Sequence, residues 1–520
     1  MTNKSQAPLA IKTVSKFKIA STLQISRQHQ HPICATRKKS ADYHGLAKHC
    51  ALSIVFLALF IFAAPLKGRV PDVLSETDTA RSLELVVDFS KPAGQFRALH
   101  GVNNGPVNTY GGPDLTQFFI EAGIPSCRLH DVPHSGSYAV DIPTIFPLAH
   151  ADPDDPLNYN FERTDDYIQG VLDAGAKVVF RLGTSIEHSP RKYNVHPPED
   201  YDRWARVCVN IIRHYNEGWA NGFHHDIQHW EIWNEPDLSS ATWTGTPEEY
   251  YKLYAVTAKA IKQHDPGLKV GGPALAKNKS FLKDFLAACR EQEAPLDFMS
   301  WHLYTSNPNA VAESARDMRE ILDEQGFTET TTDLNEWHYF NGDWKRLRSE
   351  PGYAKSLFED LNGAPGAAFI AATLMTLQDQ PVDAAHYYTG DMSRWGLFSP
   401  AGTPNTTYFA FKAFNELLKT PNRITCSING EANNLFAESG VSEDGETAQI
   451  LISNVGPKAV DLYIQLQNHS GKEPLNLEIY AVDTEHRFTR LSREVLPPGT
   501  EKIEVNCPSQ GIRLIRLEPI

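Results

Sequence analysis

Between residues 95 and 420, compact runs of apolar and β-branched residues alternate eight times with longer stretches of helical periodicity, a pattern few folds accommodate. The short runs are 96–103, 126–130, 178–181, 229–233, 269–272, 298–302, 332–336 and 385–388. The helical stretches lie at 114–122, 165–174, 198–215, 246–264, 280–291, 311–325, 364–377 and 407–418. Some carry their own end signals: Thr246-Pro247-Glu248-Glu249 supplies a capping hydroxyl and a proline for a helix start, and Gly175 stops the segment that opens Asp165-Asp166. Strict alternation predicts parallel strands with crossover helices packed outside them. Eight repeats over roughly 320 residues predict a closed (β/α)8 barrel with loop insertions. An open doubly wound sheet is the alternative, but its first strand should enter a glycine-rich phosphate loop. Here the first run enters His100-Gly101-Val102-Asn103-Asn104-Gly105-Pro106, which is not that pattern.

The texture changes on both sides of this region. From about Arg423 the segments 448–454, 460–466, 475–480, 502–505 and 511–517 read as strands separated by Gly, Pro and Asn turns, and predict a small β-sandwich over 421–520. The run 83–89 is a candidate additional strand of it, so the barrel is expected over 90–420. Residues 1–49 hold nine Lys/Arg against Asp42 alone, a net +8, which leaves −22 for the rest of a chain whose total is −14. The apolar run 50–64 follows, ending Ala63-Ala64 before Pro65. Fifteen residues are short for a bilayer span but suit the core of a signal peptide, and residues 1–70 are therefore expected to be a basic leader that is cleaved or kept as an amino-terminal anchor. Export to the periplasm or the medium is the corresponding expectation.

The acidic body argues against a nucleic-acid partner, which needs a basic face, and against an anionic lipid surface. A neutral substrate fits better. Of the seven cysteines, Cys34 and Cys50 fall in the leader, no C-x-x-C spacing occurs, and Cys426 and Cys507 are candidates to pair. Cys127, Cys208 and Cys289 read as buried free thiols. No metal-type histidine motif and no Gly-x-Ser-x-Gly elbow is present, so neither a metal, a cofactor nor a serine nucleophile is expected.

Barrels of this kind carry their functional side chains where strands end at the carboxy-terminal face. The fourth run ends Trp230-Glu231-Ile232-Trp233-Asn234-Glu235-Pro236-Asp237 and the seventh ends Asp333-Leu334-Asn335-Glu336-Trp337-His338. Glu235 and Glu336 thus stand at the predicted mouth. Glycosidic cleavage needs two carboxyls, one to protonate the leaving oxygen and one to meet the developing positive charge. The Trp-Asn-Glu-Pro string together with the second glutamate resembles clan A glycoside hydrolases, most closely glycoside hydrolase family 39, over residues 95–420.

The resemblance implies a retaining double displacement, with Glu235 as acid/base and Glu336 as nucleophile. It gives Asn234 a bond to the substrate 2-hydroxyl, Arg128 the task of holding the nucleophile ionised, and His302 and Tyr304 contacts to the nucleophile or the sugar. A structural ion pair is the competing reading for Arg128. A retaining pair should stand about 5–5.5 Å apart and an inverting pair roughly 6.5–9.5 Å. Within the strand Glu231 reads as a buried structural carboxylate between Trp230 and Ile232, Asp237 as a loop residue, and Asp333 as lying inside its strand. His130 and Asp131 close the second run, and His130 is balanced between sugar contact and loop structure. Tyr387, Tyr388, Asp391 and Trp395, after the eighth run, offer rings and an acceptor to a pyranose face. Most of the 53 aromatic residues, Trp301 among them, must nonetheless be core. His188 and Asn103 read as loop residues. The expected activity is release of terminal sugars from an oligosaccharide or polysaccharide, β-xylosidase-like or β-galactosidase-like. Family 39 also holds α-L-iduronidases, but no basic clamp for a uronate is evident. A non-catalytic carbohydrate-binding barrel and a transglycosylase using the same glutamates are the other readings, and an oligomer is open.

Overall fold

The computed structural model describes residues 81–520 apart from 108–110, 135–136, 239, 431, 470 and 472. The basic leader, the apolar run 50–64, Cys34 and Cys50 lie outside the described residues. Among those described, no helix is long and apolar enough to cross a membrane.

Eight parallel strands close on themselves: Gly101–Asn103, Ser126–Leu129, Lys177–Leu182, His229–Ile232, Lys269–Leu275, Phe298–Thr305, Thr331–Tyr339 and Ala384–Tyr387. Each contains or overlaps one of the eight predicted runs, and the order around the barrel is the order in sequence. The first strand is shorter than expected, because only Gly101–Asn103 pairs within the barrel. The helices follow their periodicity. Helix Pro247–His264 has the complete capping box, Thr246 bonding the Glu249 N–H and Glu249 returning the bond. Three helices are absent from the periodicity-based expectation: the short Ile142–Ile145 after the second strand, and Trp344–Ser349 and Pro351–Asn362, which insert into the loop after the seventh. The barrel wall is tight where strands five and six meet. A Cβ on Gly271 would lie 2.4 Å from the Phe298 carbonyl oxygen, so only glycine fits there.

The strand Arg81–Gln95 pairs with both Asn422–Asn429 and Val460–Gln467, which puts it inside the second sheet although it precedes the barrel in sequence. The expected sandwich differs in detail. Its nine strands bond edge to edge as one sheet, and they include Asn422–Asn429, Leu435–Val441 and Arg487–Leu496, which the sequence pattern does not reveal. Strands distant in that order share one core of Leu85, Ile450, Ile464, Leu477, Val505 and Ile515, so the sheet curls over itself. Cys426 and Cys507 do not pair. The strands Arg81–Gln95 and Val460–Gln467 lie between the two that carry them, a spacing of about 14 Å across three inter-strand steps, twice what a disulfide reaches.

Helix Ala364–Thr376 is apolar on every side because it is covered twice, by the barrel and by the back of the sheet. Ser453 donates to the Ala368 carbonyl at 2.7 Å, and Arg423 binds Asp379 and Glu438, both at 2.8 Å. Strand Ala448–Asn454 is buried along its whole length for the same reason: Ile450 and Ile452 face the sheet's own core and Leu451 faces the barrel's. Gly271→Ala is expected to cost about 1–3 kcal/mol through overpacking against strand six. A urea melt checks this, and an unchanged midpoint would show that the strands part freely.

Candidate active site

The centre of the barrel mouth is built on one buried cation. Arg128 ends the second strand with no exposure, and all three guanidinium nitrogens are engaged. Nε donates to Glu231 Oε2 at 2.7 Å and Nη2 to Asn234 Oδ1 at 2.6 Å. Nη1 donates to Asn103 Oδ1 at 3.0 Å and to Glu336 Oε2 at 3.3 Å. Burial alone would weaken its hold on the proton, but Glu231 and Glu336 reverse the effect and keep it charged. Arg128 therefore touches the nucleophile candidate and the structural ion pair at once; the two readings of it are not exclusive.

Glu235 is held by its backbone. It has φ of 48° in the left-handed region, which a glutamate occupies only at a cost of about 1–3 kcal/mol. Three bonds fix that conformation: its N–H donates to the Ala274 carbonyl at 3.0 Å, and its carbonyl accepts from Leu238 N at 3.1 Å and the Thr242 hydroxyl at 2.6 Å. Asp237 serves the same turn, accepting the N–H groups of Ala276, Lys277 and Asn278, which ties the loops after strands four and five. Glu336 is placed by register instead, since it lies opposite His302 on the neighbouring sixth strand.

The side chains converge. His302 Nδ1 is 2.9 Å from Glu235 Oε1 and 3.6 Å from Glu336 Oε2, and the Tyr304 hydroxyl donates to Glu336 Oε1 at 2.5 Å. A carboxylate oxygen of each glutamate and a ring nitrogen of His302 all lie within 4.8 Å of one another. These three could hold a cation by distance; in an acid/base scheme the same spacing passes a proton. Burial, with the charges of Asp237 and Asp131 added, pushes Glu235 up to about 8. Glu336 is also raised, chiefly by burial and by Glu235, but His302, Arg128 and the Tyr304 hydroxyl act against the rise. Burial lowers His302, so its ring is neutral.

The remaining candidates divide. Tyr388 donates to Asp131 Oδ2 at 3.2 Å, and His130 Nε2 stands 3.3 Å from the same oxygen. His130 Nδ1 is buried with no partner, as a group awaiting a ligand would be. Trp344 and Trp395 pack 5.3 and 6.0 Å from Tyr304 and stack on each other, and Phe340 stacks on Trp344, so an aromatic wall adjoins the tyrosine that binds Glu336. Asp391 accepts from Thr389 at 2.5 Å on one carboxylate oxygen and from Asn104 at 3.1 Å on the other, which orders the loop. Tyr387 is buried against His338, Trp301 is core, and His188 is exposed away from these contacts. Asp333 binds His386 at 2.9 Å inside the barrel. Asn103 is buried in the Arg128 network rather than on a loop.

Several residues at the mouth escape a reading of the sequence alone. Trp344, 40% exposed, sits on an unpredicted helix. Ser300 and Asn335 bind Glu231 at 2.6 and 2.5 Å. Arg181 pairs with Asp141 at 2.6 Å, and Ser185 joins them. An arginine inside Val178-Val179-Phe180-Arg181-Leu182 is the signal for that last pair, since a charge in an apolar strand requires a buried acid.

A (β/α)8 barrel with paired glutamates at the ends of its fourth and seventh strands, the first preceded by asparagine, has the architecture of clan A glycoside hydrolases. Residues 134–389 match the model of glycosyl hydrolases family 39, a match that supports placing the chain with that family. It is 28% identical over 297 residues to a β-xylosidase of Caldicellulosiruptor saccharolyticus, covering 50% of this chain and 57% of the relative. It is 30% identical over 260 residues to a β-xylosidase of Geobacillus stearothermophilus, covering 44% and 48%. The alignments thus span about half the length of these curated relatives. Among solved structures, a glucosidase from Croceicoccus marinus superposes with a TM-score of 0.71 at 27% identity, covering 85% of this chain and 99% of the other. A monomeric β-xylosidase from Caulobacter crescentus shares the fold, with a TM-score of 0.65 at 19% identity, covering 85% and 100%.

Removing Arg128 leaves Glu231 buried without its charge partner. Arg128→Met is therefore expected to lose about 3–5 kcal/mol of stability, measured by thermal unfolding. Arg128→Lys should recover part of that, because it restores the charge without the forked geometry.

Proposed function

We propose that this protein is a retaining exo-glycosidase that releases β-linked sugars, with β-xylosides as the leading substrates. The observation that carries the reading is the pair of glutamates with one oxygen of each within 4.8 Å, a spacing that suits a retaining pair better than an inverting pair that must admit a water. Their environments are unequal in the way two roles require. Among the described residues Glu235 makes no ion pair with an arginine or lysine, and it is protonated below about pH 8, which suits a proton donor. Glu336 receives Arg128 and Tyr304, which favour its carboxylate.

In the first step a Glu336 oxygen bonds to the anomeric carbon as the glycosidic C–O bond breaks, and the departing oxygen takes the Glu235 proton. In the second, Glu235 removes a proton from water, which displaces Glu336 from the anomeric carbon and restores both glutamates. The neutral His302 ring lies between them and accepts a bond from protonated Glu235 or donates one to its carboxylate. Asn234 has its oxygen fixed by Arg128, which leaves its amide NH2 to hold the substrate 2-hydroxyl. The β-xyloside assignment is supported by the two curated relatives, and the glucosidase structure makes β-glucosides the second class to test. Export is part of the proposal, resting on the basic stretch and apolar run of residues 1–64, which would leave the barrel free or tethered at its amino end.

A panel of nitrophenyl glycosides tests the reading. Glu336→Gln should abolish turnover of every substrate. Glu235→Gln should lose about 10²–10⁴-fold on an alkyl glycoside and much less on a dinitrophenyl glycoside, whose leaving group needs no proton. Wild type and both variants equally inert across the panel would refute hydrolysis.

The pH profile gives a second check. The rate, as kcat/KM, should fall above about pH 8, where Glu235 loses the proton it must donate. It should fall on the acid side as Glu336 takes one up, above the usual glutamate range. A basic limb that survives Glu235→Gln would assign the titration to another group.

A further inference from the structure

Glu231 has no part in the steps above, yet it is the most enclosed carboxylate near them. It has no exposure; Oε1 accepts from the Ser300 hydroxyl at 2.6 Å and the Asn335 amide at 2.5 Å, and Oε2 accepts from Arg128 Nε at 2.7 Å. The short ion pair of Arg128 is thus made with a group beneath the substrate, and the nucleophile has the long one, at 3.3 Å. The chemistry explains that division. When Glu336 bonds to the anomeric carbon and the leaving oxygen departs with the Glu235 proton, the Glu336 carboxylate becomes a neutral ester. A buried guanidinium paired with Glu336 alone would then face no negative charge, a state that proteins strongly disfavour. Glu235 becomes a carboxylate in the same step, but its hydrogen-bond partner is His302, and no pair between it and Arg128 is formed among the described residues.

We infer that Glu231 is the permanent counter-ion of Arg128, a positioning residue that lets Glu336 alternate between carboxylate and ester while Arg128 stays neutralised. It also keeps Arg128 from binding Glu336 so tightly that the carboxylate loses its nucleophilicity. The inference rests on the retaining reading of the site.

Glu231→Gln tests it with little steric disturbance. Asn335 Oδ1 is buried with no partner, so rotating that amide lets it accept from the NH2 group that the substitution introduces. In the variant Glu336 is the only carboxylate left in contact with Arg128. The acid limb of kcat/KM should therefore move to lower pH by about one unit or more, as for a carboxyl gaining an unshared arginine. Labelling of Glu336 by 2,4-dinitrophenyl 2-deoxy-2-fluoro-β-xyloside, or by the glucoside analogue, should slow by at least about tenfold, because forming the ester then leaves the buried Arg128 with no anion beside it. Reactivation of the labelled enzyme, which restores the carboxylate, should not slow. A wild-type acid limb in the variant, or equal slowing of labelling and reactivation, overturns the inference. If Glu231→Gln does not fold, Glu231→Asp keeps the charge but draws it back from Arg128 and should shift the acid limb in the same direction by less; no shift overturns it. Wild-type protein that takes no label at Glu336 would instead overturn the retaining reading itself.

Discussion

The guanidinium of Arg128 sits where three other strands need a common partner. It binds Asn103 on the first strand, Glu231 and Asn234 at the end of the fourth, and Glu336 on the seventh. Asn335 and Ser300 then close the second layer around Glu231. A charge with no contact with water must satisfy every donor from protein, so each of these side chains is constrained by the others. The result is a polar plug in the barrel, and the Asp333–His386 pair adds a second polar contact within it. Such plugs add little net stability compared with apolar packing. Here the plug holds an asparagine and a carboxylate rigid at the mouth, and that is a functional reason for its presence.

Above the plug, two residues of one type are driven apart by their surroundings. Glu235 is desolvated among other acids, so its proton is retained. Glu336 is desolvated as well, but a cation and a phenol lean on it from two sides. Their proximity sharpens the difference, because two adjacent carboxyls resist carrying charge together. The neutral His302 ring between them adds a path for hydrogen bonding without adding a charge.

Much of this is legible in the linear chain. The eight strands can be read because each is a short apolar run bounded by helical periodicity, and Glu235 because Trp-Asn-Glu-Pro is distinctive. Glu336 can be placed because its strand is the seventh. The structural role of Glu231 follows from its bulky apolar neighbours. Other features have no local signature. Trp344 lies in a loop insertion whose helix is only six residues long. The strands Asn422–Asn429 and Leu435–Val441 are partly exposed and carry a mixed pattern with little alternation. The bonds from Asn104 and Thr389 to Asp391 join residues on separate loops, and its position after strand eight gives no sign of them.

The linear chain alone indicates the barrel, the β-rich second unit, and the strand ends at which the two glutamates, the asparagine and the arginine stand. These depend on periodicity, on strand order and on residues adjacent in the chain. Folding in three dimensions settles how Arg128 is shared, that His302 leans nearer Glu235 than Glu336, that the second unit is one curled sheet with free thiols, and that the strand Arg81–Gln95 crosses into it. Those facts depend on distances between residues tens to hundreds of positions apart. Packing, rather than local preference, sets such distances, because a buried charge takes whichever partner the fold brings within reach.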